Sequence, residues 1–414
     1  GTRGTGYQGD PGRLGQFGNG GAGITGSNLN VVNSGIISGG LAGDGVTRVN
    51  AITFGGTGNT LELRAGSNIS GNVVGSTAPG ATNALVLGGA TDATFAASGI
   101  GSQYLNFNSF SKTGSSIWSL TGTTAAVTAW TVSGGTLSIA SDASLGAASG
   151  ALTLNGGTLR TTANATSARV VTLGAAGGTF SPNAGTTLVQ GGVVAGAGGL
   201  TQAGAGTLVL AASNTYTGTT TVSAGTLQVG NGGTSGRLGT GAVTNNAALV
   251  FNRSDSVTVA NAIGGTGTLT QAGAGTTVLT GDNSYGATAI TAGTLQVGNG
   301  GTSGTLGTGD VTNNAALVFN RSDSVTVANA IGGSGSLTQA GAGTTVLTGN
   351  NSYGATSIDA GTLQVGDGGT SGTLGTGAVT NNAALVFNRS DDITVANAIG
   401  GSGSVTQNGS GTLT

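Results

Sequence analysis

The chain alternates apolar and polar positions in short runs of four to six residues over most of its length. Thr276–Thr280, Thr294–Val297 and Ala315–Phe319 are typical runs, rich in Val, Leu and Thr. A period of two in such runs predicts β-strands with one buried face. Clusters of Gly, Asn and Ser, such as residues 298–301, separate the runs and indicate turns. Helical periodicity is missing, so the pattern predicts an all-β protein.

A long repeat dominates the second half of the sequence. Residues 273–340 match residues 341–408 at 59 of 68 positions, and the preceding copy, 204–272, is one residue longer. The predicted organisation is a Gly-rich N-terminal segment (1–27), degenerate coils (28–203), three repeats (204–272, 273–340 and 341–408) and the start of a fourth (409–414). Because this fourth copy stops inside its strand, we expect an open edge there that favours self-association.

Two architectures fit a 68-residue β repeat, and the core residues favour one of them. A tandem array of sandwich domains needs a thick, aromatic-rich core in every copy. Each copy here has one Phe and one Tyr, which suits the narrow core of a right-handed parallel β-helix, a solenoid in which every coil stacks on the next. About three coils per repeat are predicted, with a rise of roughly 14 Å at the usual strand spacing.

Residues that recur at the repeat period predict structural ladders along such a solenoid. Phe251, Phe319 and Phe387 are expected inside one continuous core, and Tyr285 and Tyr353 at matching corners. Paired asparagines recur at strand ends, and stacked Asn side chains can hydrogen-bond from coil to coil. The predicted ladder positions are Asn246, Asn314 and Asn382.

Composition excludes several classes of function. The chain has no Cys and no His, one Lys, 6% charged residues and a net charge of −2. Zero His and zero Cys remove the commonest general base and the strongest metal ligands. A basic groove for nucleic acid cannot be built from so few cations. No cofactor is predicted.

The remaining chemical candidates are weak when read from the sequence. Asp391–Asp392 is the best carboxylate pair, but the matching residues in the preceding copy are Asp323–Ser324, which has only one carboxylate. The Gly-rich stretches at 230–233, 298–301 and 366–369 are similar to half of a calcium-binding nonapeptide, yet only one copy carries Asp there. The recurrent Asn-Arg-Ser-Asp motif predicts a polar turn in which Asp pairs with the nearby Arg. As a second interpretation, its arginines form a surface ladder that faces a ligand: Arg253, Arg321 and Arg389.

The stretch Gly198–Gly230 resembles the passenger-associated transport repeat of Gram-negative autotransporters. It has a Gly-x-Gly-Thr-Leu-x-Leu strand, an Asn-x-Tyr-x-Gly turn and a Val-x-Ala-Gly-Thr-Leu strand. The resemblance recurs at Gly267–Gly298 and Gly335–Gly366, with degenerate versions at Phe110–Gly122 and Ser133–Leu137. It implies a type V passenger, displayed on the bacterial cell surface and anchored at the outer membrane through a barrel outside this sequence.

With no His, one Lys and scattered carboxylates, the sequence predicts a non-enzymatic role, and we expect that role to be attachment. The predicted function is that of a rigid stalk or adhesin, whose partner would be a host surface or matrix protein, a glycan or another cell. The alternative is an extracellular filament or surface-layer component that assembles through β contacts. A β-helix enzyme that cleaves polysaccharide is a distant third, because its usual clustered carboxylates are scattered here.

Overall fold

Short strands joined by tight turns make up the chain in a computed structural model that describes residues 20–414. Most of the predicted Gly-rich segment (1–27) lies outside the described residues. The chain divides into two units, which meet in sequence at Gly198 and Gly199. Within residues 20–414, no helix reaches the length and apolarity needed to cross a bilayer.

The described part of the first unit contains 21 strands and two short 3-10 helices, Ala97–Gly99 and Asp142–Leu145. The strands are β1 (Ile24–Ser27), β2 (Asn30–Asn33), β3 (Ile36–Ser38), β4 (Ile52–Gly55), β5 (Gly58–Leu63), β6 (Asn68–Ser70), β7 (Val73–Val74), β8 (Thr82–Leu87), β9 (Ala93–Ala96), β10 (Tyr104–Leu105), β11 (Ser109–Lys112), β12 (Ile117–Thr121), β13 (Trp130–Val132), β14 (Thr136–Ile139), β15 (Leu152–Leu154), β16 (Thr158–Thr161), β17 (Ala165–Ser167), β18 (Val171–Leu173), β19 (Gly178–Pro182), β20 (Thr187–Gln190) and β21 (Val194–Gly196).

Strands of the first unit pair in parallel with the strand one turn later, as a solenoid requires. One sheet runs β2-β5-β8-β11-β13-β15-β18-β21, and a second runs β9-β12-β14-β16-β19. Alternate residues point inward: Leu61 pairs with Leu85, and both are fully buried. Burial of each such side chain contributes about 1.5–3 kcal/mol.

The second unit contains the repeats and 24 strands. They are β22 (Leu200–Gln202), β23 (Thr207–Leu210), β24 (Thr220–Val222), β25 (Thr226–Val229), β26 (Val243–Asn245), β27 (Ala248–Phe251), β28 (Ser256–Val259), β29 (Ile263–Gly264), β30 (Thr268–Gln271), β31 (Thr276–Leu279), β32 (Thr288–Ile290), β33 (Thr294–Val297), β34 (Val311–Asn313), β35 (Ala316–Phe319), β36 (Ser324–Val327), β37 (Ile331–Gly332), β38 (Ser336–Gln339), β39 (Thr344–Leu347), β40 (Thr356–Ile358), β41 (Thr362–Val365), β42 (Val379–Asn381), β43 (Ala384–Phe387), β44 (Ile399–Gly400) and β45 (Ser404–Gln407).

The strands of the second unit lie on three faces, and neighbouring strands on each face pair in parallel. The first face is β23-β25-β27-β30-β32-β34-β37, and the second is β28-β31-β33-β35-β38-β40-β42-β44. The chain then crosses a third face, formed by β22-β24-β26-β29 early in the unit and by β36-β39-β41-β43-β45 later. The prediction of an all-β parallel solenoid is confirmed, while its right-handed sense stays a prediction.

A repeat of 68 residues does not close a whole number of turns. On the second face the paired residues Ser256, Thr276, Thr294 and Ala316 lie 20, 18 and 22 residues apart, so three turns use 60 residues. The eight residues left over carry the chain one face further. Each repeat therefore takes three and one-third turns, against about three predicted, and rises about 16 Å. Successive copies are rotated by one face, about 120° in a three-faced solenoid.

This rotation corrects the predicted Phe ladder. Phe251, Phe319 and Phe387 are all at most 1% exposed, so they lie in the core as expected. They end β27, β35 and β43, however, which belong to three different sheets. The prediction that they form one ladder is therefore wrong. The buried Tyr285 and Tyr353 follow strands of two different sheets as well, so matching corners are also wrong.

The Asn pairs hold turns together in a different way from the predicted ladder. The first Asn of each pair is buried and donates its Nδ2–H to a backbone carbonyl of the next turn at 2.8 Å. These donors are Asn245, Asn313 and Asn381.

The second Asn of each pair, which was the predicted one, is exposed. The Oδ1 atoms of Asn246 and Asn314 accept the backbone N–H groups of Thr266 and Ser334 at 3.3 Å. Asn246, Asn314 and Asn382 follow strands of three different sheets, so the prediction that they stack on one another is wrong.

Candidate functional site: three braced surface loops

The most exposed recurrent feature of the second unit is a loop that follows the Thr-Leu-Gln-Val strand of each repeat. Its tip is Asn-Gly-Gly-Thr-Ser in two copies and Asp-Gly-Gly-Thr-Ser in the third. We call the tips the display loops: Asn231–Ser235, Asn299–Ser303 and Asp367–Ser371. Nearly every residue of these tips is exposed. Loops on a rigid scaffold are where proteins usually place binding residues.

Glycine allows the chain to leave the solenoid and return within a few residues. Gly232 at the tip has φ +77°, and Gly236 at the base has φ +109°, conformations that residues with a Cβ rarely adopt. A Cβ on Gly236 would lie only 2.4 Å from the backbone N of Gly230, because the two ends of the loop touch. The base is therefore closed by direct backbone contact.

A buried arginine braces each display loop from below. The Arg253 side chain is 5% exposed, and its Nη1–H donates to the Gly236 carbonyl at 2.6 Å. Its Nη2–H groups donate to the Thr234 carbonyl and to the Asp255 carboxylate. The Nε–H also donates to the Asp255 carboxylate, at 2.9 Å. One guanidinium thus joins the loop to the turn that follows it. A planar fork of five donors is suited to this task.

The same brace recurs in the other two copies. Arg321 donates to the carbonyls of Thr302 and Gly304, and Arg389 to those of Thr370 and Gly372. All three arginines are at most 8% exposed. The interpretation that Arg253, Arg321 and Arg389 form a surface ladder facing a ligand is therefore wrong, because their donors are used inside. The polar-turn interpretation agrees with the Arg–Asp contacts.

The carboxylates of the brace are held ionised. The hydrogen bonds from Arg253, Arg321 and Arg389 lower the pKa values of Asp255, Asp323 and Asp391 below that of a free Asp side chain. A carboxylate that is already paired with a guanidinium is a poor general base at neutral pH.

The predicted catalytic and calcium candidates are tied into turns. Asp391 pairs with Arg389, while the Asp392 Oδ1 accepts the Thr412 N–H at 2.6 Å, a contact that lowers its pKa. Asp367, the only acidic tip residue, accepts the Gly369 N–H of its own loop at 3.4 Å. Within residues 20–414, no group of three or more acidic side chains is arranged to hold a metal ion.

The first unit uses the same device with other residues. Arg169 is 1% exposed and donates to the carbonyls of Ala147 and Gly150 and to Asp142. Lys112, fully buried, donates its Nζ–H groups to three carbonyls that include Gly114 and Gly134. Five of the chain's cations are thus used inside the solenoid, which leaves more carboxylates than cations at the described surface.

A pocket of about 220 Å³ lies beside the base of the first display loop. Its walls are core side chains such as Leu238, Phe251 and Val257. A pocket of about 330 Å³, lined by corresponding residues such as Leu374 and Phe387, recurs in the third copy. Asn261, the amide in the first pocket, already donates to the Gly239 and Gly241 carbonyls. Both pockets are packing gaps where a loop replaces a strand.

Comparison with known proteins agrees with the repeat pattern. The family model described as passenger-associated-transport-repeat matches residues 110–139, 200–229, 269–297 and 337–365. A stretch of 152 residues, 37% of this chain, is 43% identical to the "Adhesin BmaC autotransporter" of Brucella suis biovar 1 (strain 1330). The match spans only 4% of that much longer protein. No solved structure matches the chain. Matched repeats on a parallel β-solenoid and this similarity support a passenger domain of a type V autotransporter that carries passenger-associated transport repeats.

Proposed function

We propose that this chain is a non-enzymatic, surface-displayed passenger segment that acts as a stiff support and adhesin in bacterial attachment. The display loops would be its contact sites. One observation carries the proposal: each tip is exposed, while its base is fixed by a buried guanidinium with hydrogen bonds to two loop carbonyls. A loop that is already ordered loses less conformational entropy on binding, which favours affinity.

Two further observations support this proposal. The relative from Brucella suis is named an adhesin, and the similarity covers more than a third of the chain. The carboxylates that could serve as catalytic groups are used in turns and ion pairs, as described for Asp391 and Asp392. The partner would be a host surface or matrix protein, a glycan or another cell.

An attachment assay with the intact chain tests the proposal. Beads coated with the chain are counted on cultured epithelial monolayers, before and after Thr234, Thr302 and Thr370 are each changed to Lys. These threonines are exposed at the three tips. We expect bead attachment to fall about tenfold, equivalent to about 1.4 kcal/mol, because a long cation replaces a small neutral contact.

The matched control adds the same charge elsewhere on the second unit. Thr244, Thr312 and Thr380 are the exposed centres of the equivalent Val-Thr-Asn strands in the three copies, and Lys at all three should leave attachment unchanged. Equal loss in both triple variants, or no loss in either, would contradict the assignment of the loops. Ordered fibres formed by the purified chain alone, without attachment, would instead support the filament alternative.

A further inference from the structure

The three display loops leave the solenoid at three different corners. The first follows β25 on the first face, and the second follows β33 on the second face. The third follows β41, which lies in the sheet of the third face. Each turn visits these three faces in order, so neighbouring loops are separated by one corner as well as by about 16 Å along the axis.

This arrangement is a direct result of the residue count in the repeat. A 60-residue repeat would place every loop above the previous one, whereas the eight additional residues advance each copy by one face. The braces are the same in all three copies, so each loop keeps its local shape while its direction changes. Near-identical loops therefore point in three directions around one axis.

We propose that the display loops are three separate sites, so that this segment holds up to three partner molecules around its axis, one per loop. Because the loops point in three directions, a flat partner surface can contact only one of them. The tips offer neutral amide and hydroxyl groups, and the partner that fits them is a discrete, neutral hydrogen-bonding group small enough to be bound by a single loop. Asp367 adds a negative charge to the third site alone. The role of the loops in binding rests on the proposed function, but their directions do not.

The stoichiometry of a bulky probe tests the directions of the loops. The chain has no Cys, so Thr234, Thr302 and Thr370 can each be changed to Cys and coupled to maleimide-biotin through a short linker. The probe is monomeric streptavidin, a globular domain about 35 Å across for its size. We expect three probes per chain by light scattering. If the loops were aligned about 16 Å apart, the probes would collide, and fewer than three per chain would overturn the proposal.

A matched pair on one ladder calibrates the measurement. Thr258 and Thr338 lie four turns apart on the second face, linked by the paired residues Val278, Gln296 and Val318. Biotin on Cys at these two positions points the same way at about 19 Å, and we expect one probe for this pair.

Spin-label distances provide a second readout that does not depend on the probe. Labels on Thr234→Cys and Thr302→Cys should be farther apart than labels on Thr258→Cys and Thr338→Cys, although the loop pair spans fewer turns. A shorter loop-pair distance would overturn the three-direction arrangement. Loss of attachment in the Lys variants tests the proposed function separately, so the two proposals can fail independently.

Discussion

Removal of one brace should loosen one display loop and leave the solenoid intact. In Arg321→Met the apolar stem is kept, while the donors to the Thr302 and Gly304 carbonyls and to Asp323 are lost. Gly304 is buried, so its carbonyl loses a charged donor without full access to water, at about 1.5–3 kcal/mol. The Asp323 side chain is 38% exposed, so solvent screens its ion pair and the pair adds little. The expected loss of unfolding free energy is about 1.5–3 kcal/mol.

Urea unfolding of the whole chain measures this loss, and hydrogen exchange locates it. The Gly300 N–H donates to the Asn320 carbonyl at 2.7 Å, so its exchange reports directly on the loop. Exchange should accelerate at 298–305 and stay unchanged at the matching loops of the other two copies, since solenoid repeats contact only their neighbours.

The control is Arg237→Thr, which removes an exposed arginine and introduces the residue found at this position in the other copies, Thr305 and Thr373. Such a surface change should alter stability by less than about 0.5 kcal/mol. Equal effects of Arg237→Thr and Arg321→Met, or unchanged exchange at Gly300 in the Met variant, would refute the brace.

Three further outcomes are expected. Gly307→Ala places a Cβ 2.5 Å from the Tyr285 ring and should cost about 1–3 kcal/mol in urea unfolding, whereas Gly233→Ala, with open space around it, should cost little. Thr277→Val leaves the buried Gln271 Oε1 without its 2.6 Å donor and should cost about 1–3 kcal/mol; a neutral result would refute the role of this bond. Because pairing lowers the pKa of Asp323 in the folded state, its contribution exists above the unfolded value of about 3.9 and disappears as pH falls through the lowered pKa. Between pH 5 and 8 the Asp323 carboxylate stays ionised, so its protonation should not alter hydrogen exchange in the 298–305 loop. At more acidic pH, loss of the Arg321–Asp323 pair should accelerate exchange there. Arg321→Met should abolish this pH dependence.

The strands could be predicted because their chemistry is local. Thr294–Val297 alternates inward Leu295 and Val297 with outward Thr294 and Gln296, and the structure buries the two apolar residues completely. Parallel stacking of coils could be predicted because each repeat has too few aromatic residues for the thick core of a separate sandwich domain. These inferences need only the period of the side chains and the size of the core, both of which are visible in one repeat.

The braces were missed for a physical reason. An isolated Arg in a low-charge sequence reads as a surface residue, since burial of a guanidinium is costly unless every donor finds an acceptor. Here a loop folded back over the side chain supplies carbonyls that the sequence does not reveal as acceptors. The sequence did contain one signal: in every copy an Arg-x-Asp motif follows a Gly-rich loop at the same spacing, as Arg253 follows Gly236.

The rotation between copies could not be predicted from the repeat length alone, and it determines how the segment can bind. Turn lengths of 20, 18 and 22 residues depend on where corners and loops leave the faces, and a change of a few residues in their sum would alter the phase of the next copy. A stack in phase would concentrate identical loops on one side and favour avidity on a flat array. With a shift of one face per repeat, the segment loses that avidity, but partners can contact its loops from every side. For a segment of this kind, near-identical repeats therefore give near-identical sites. The number of residues left over after whole turns decides whether those sites face one side and act together, or face different sides and act alone.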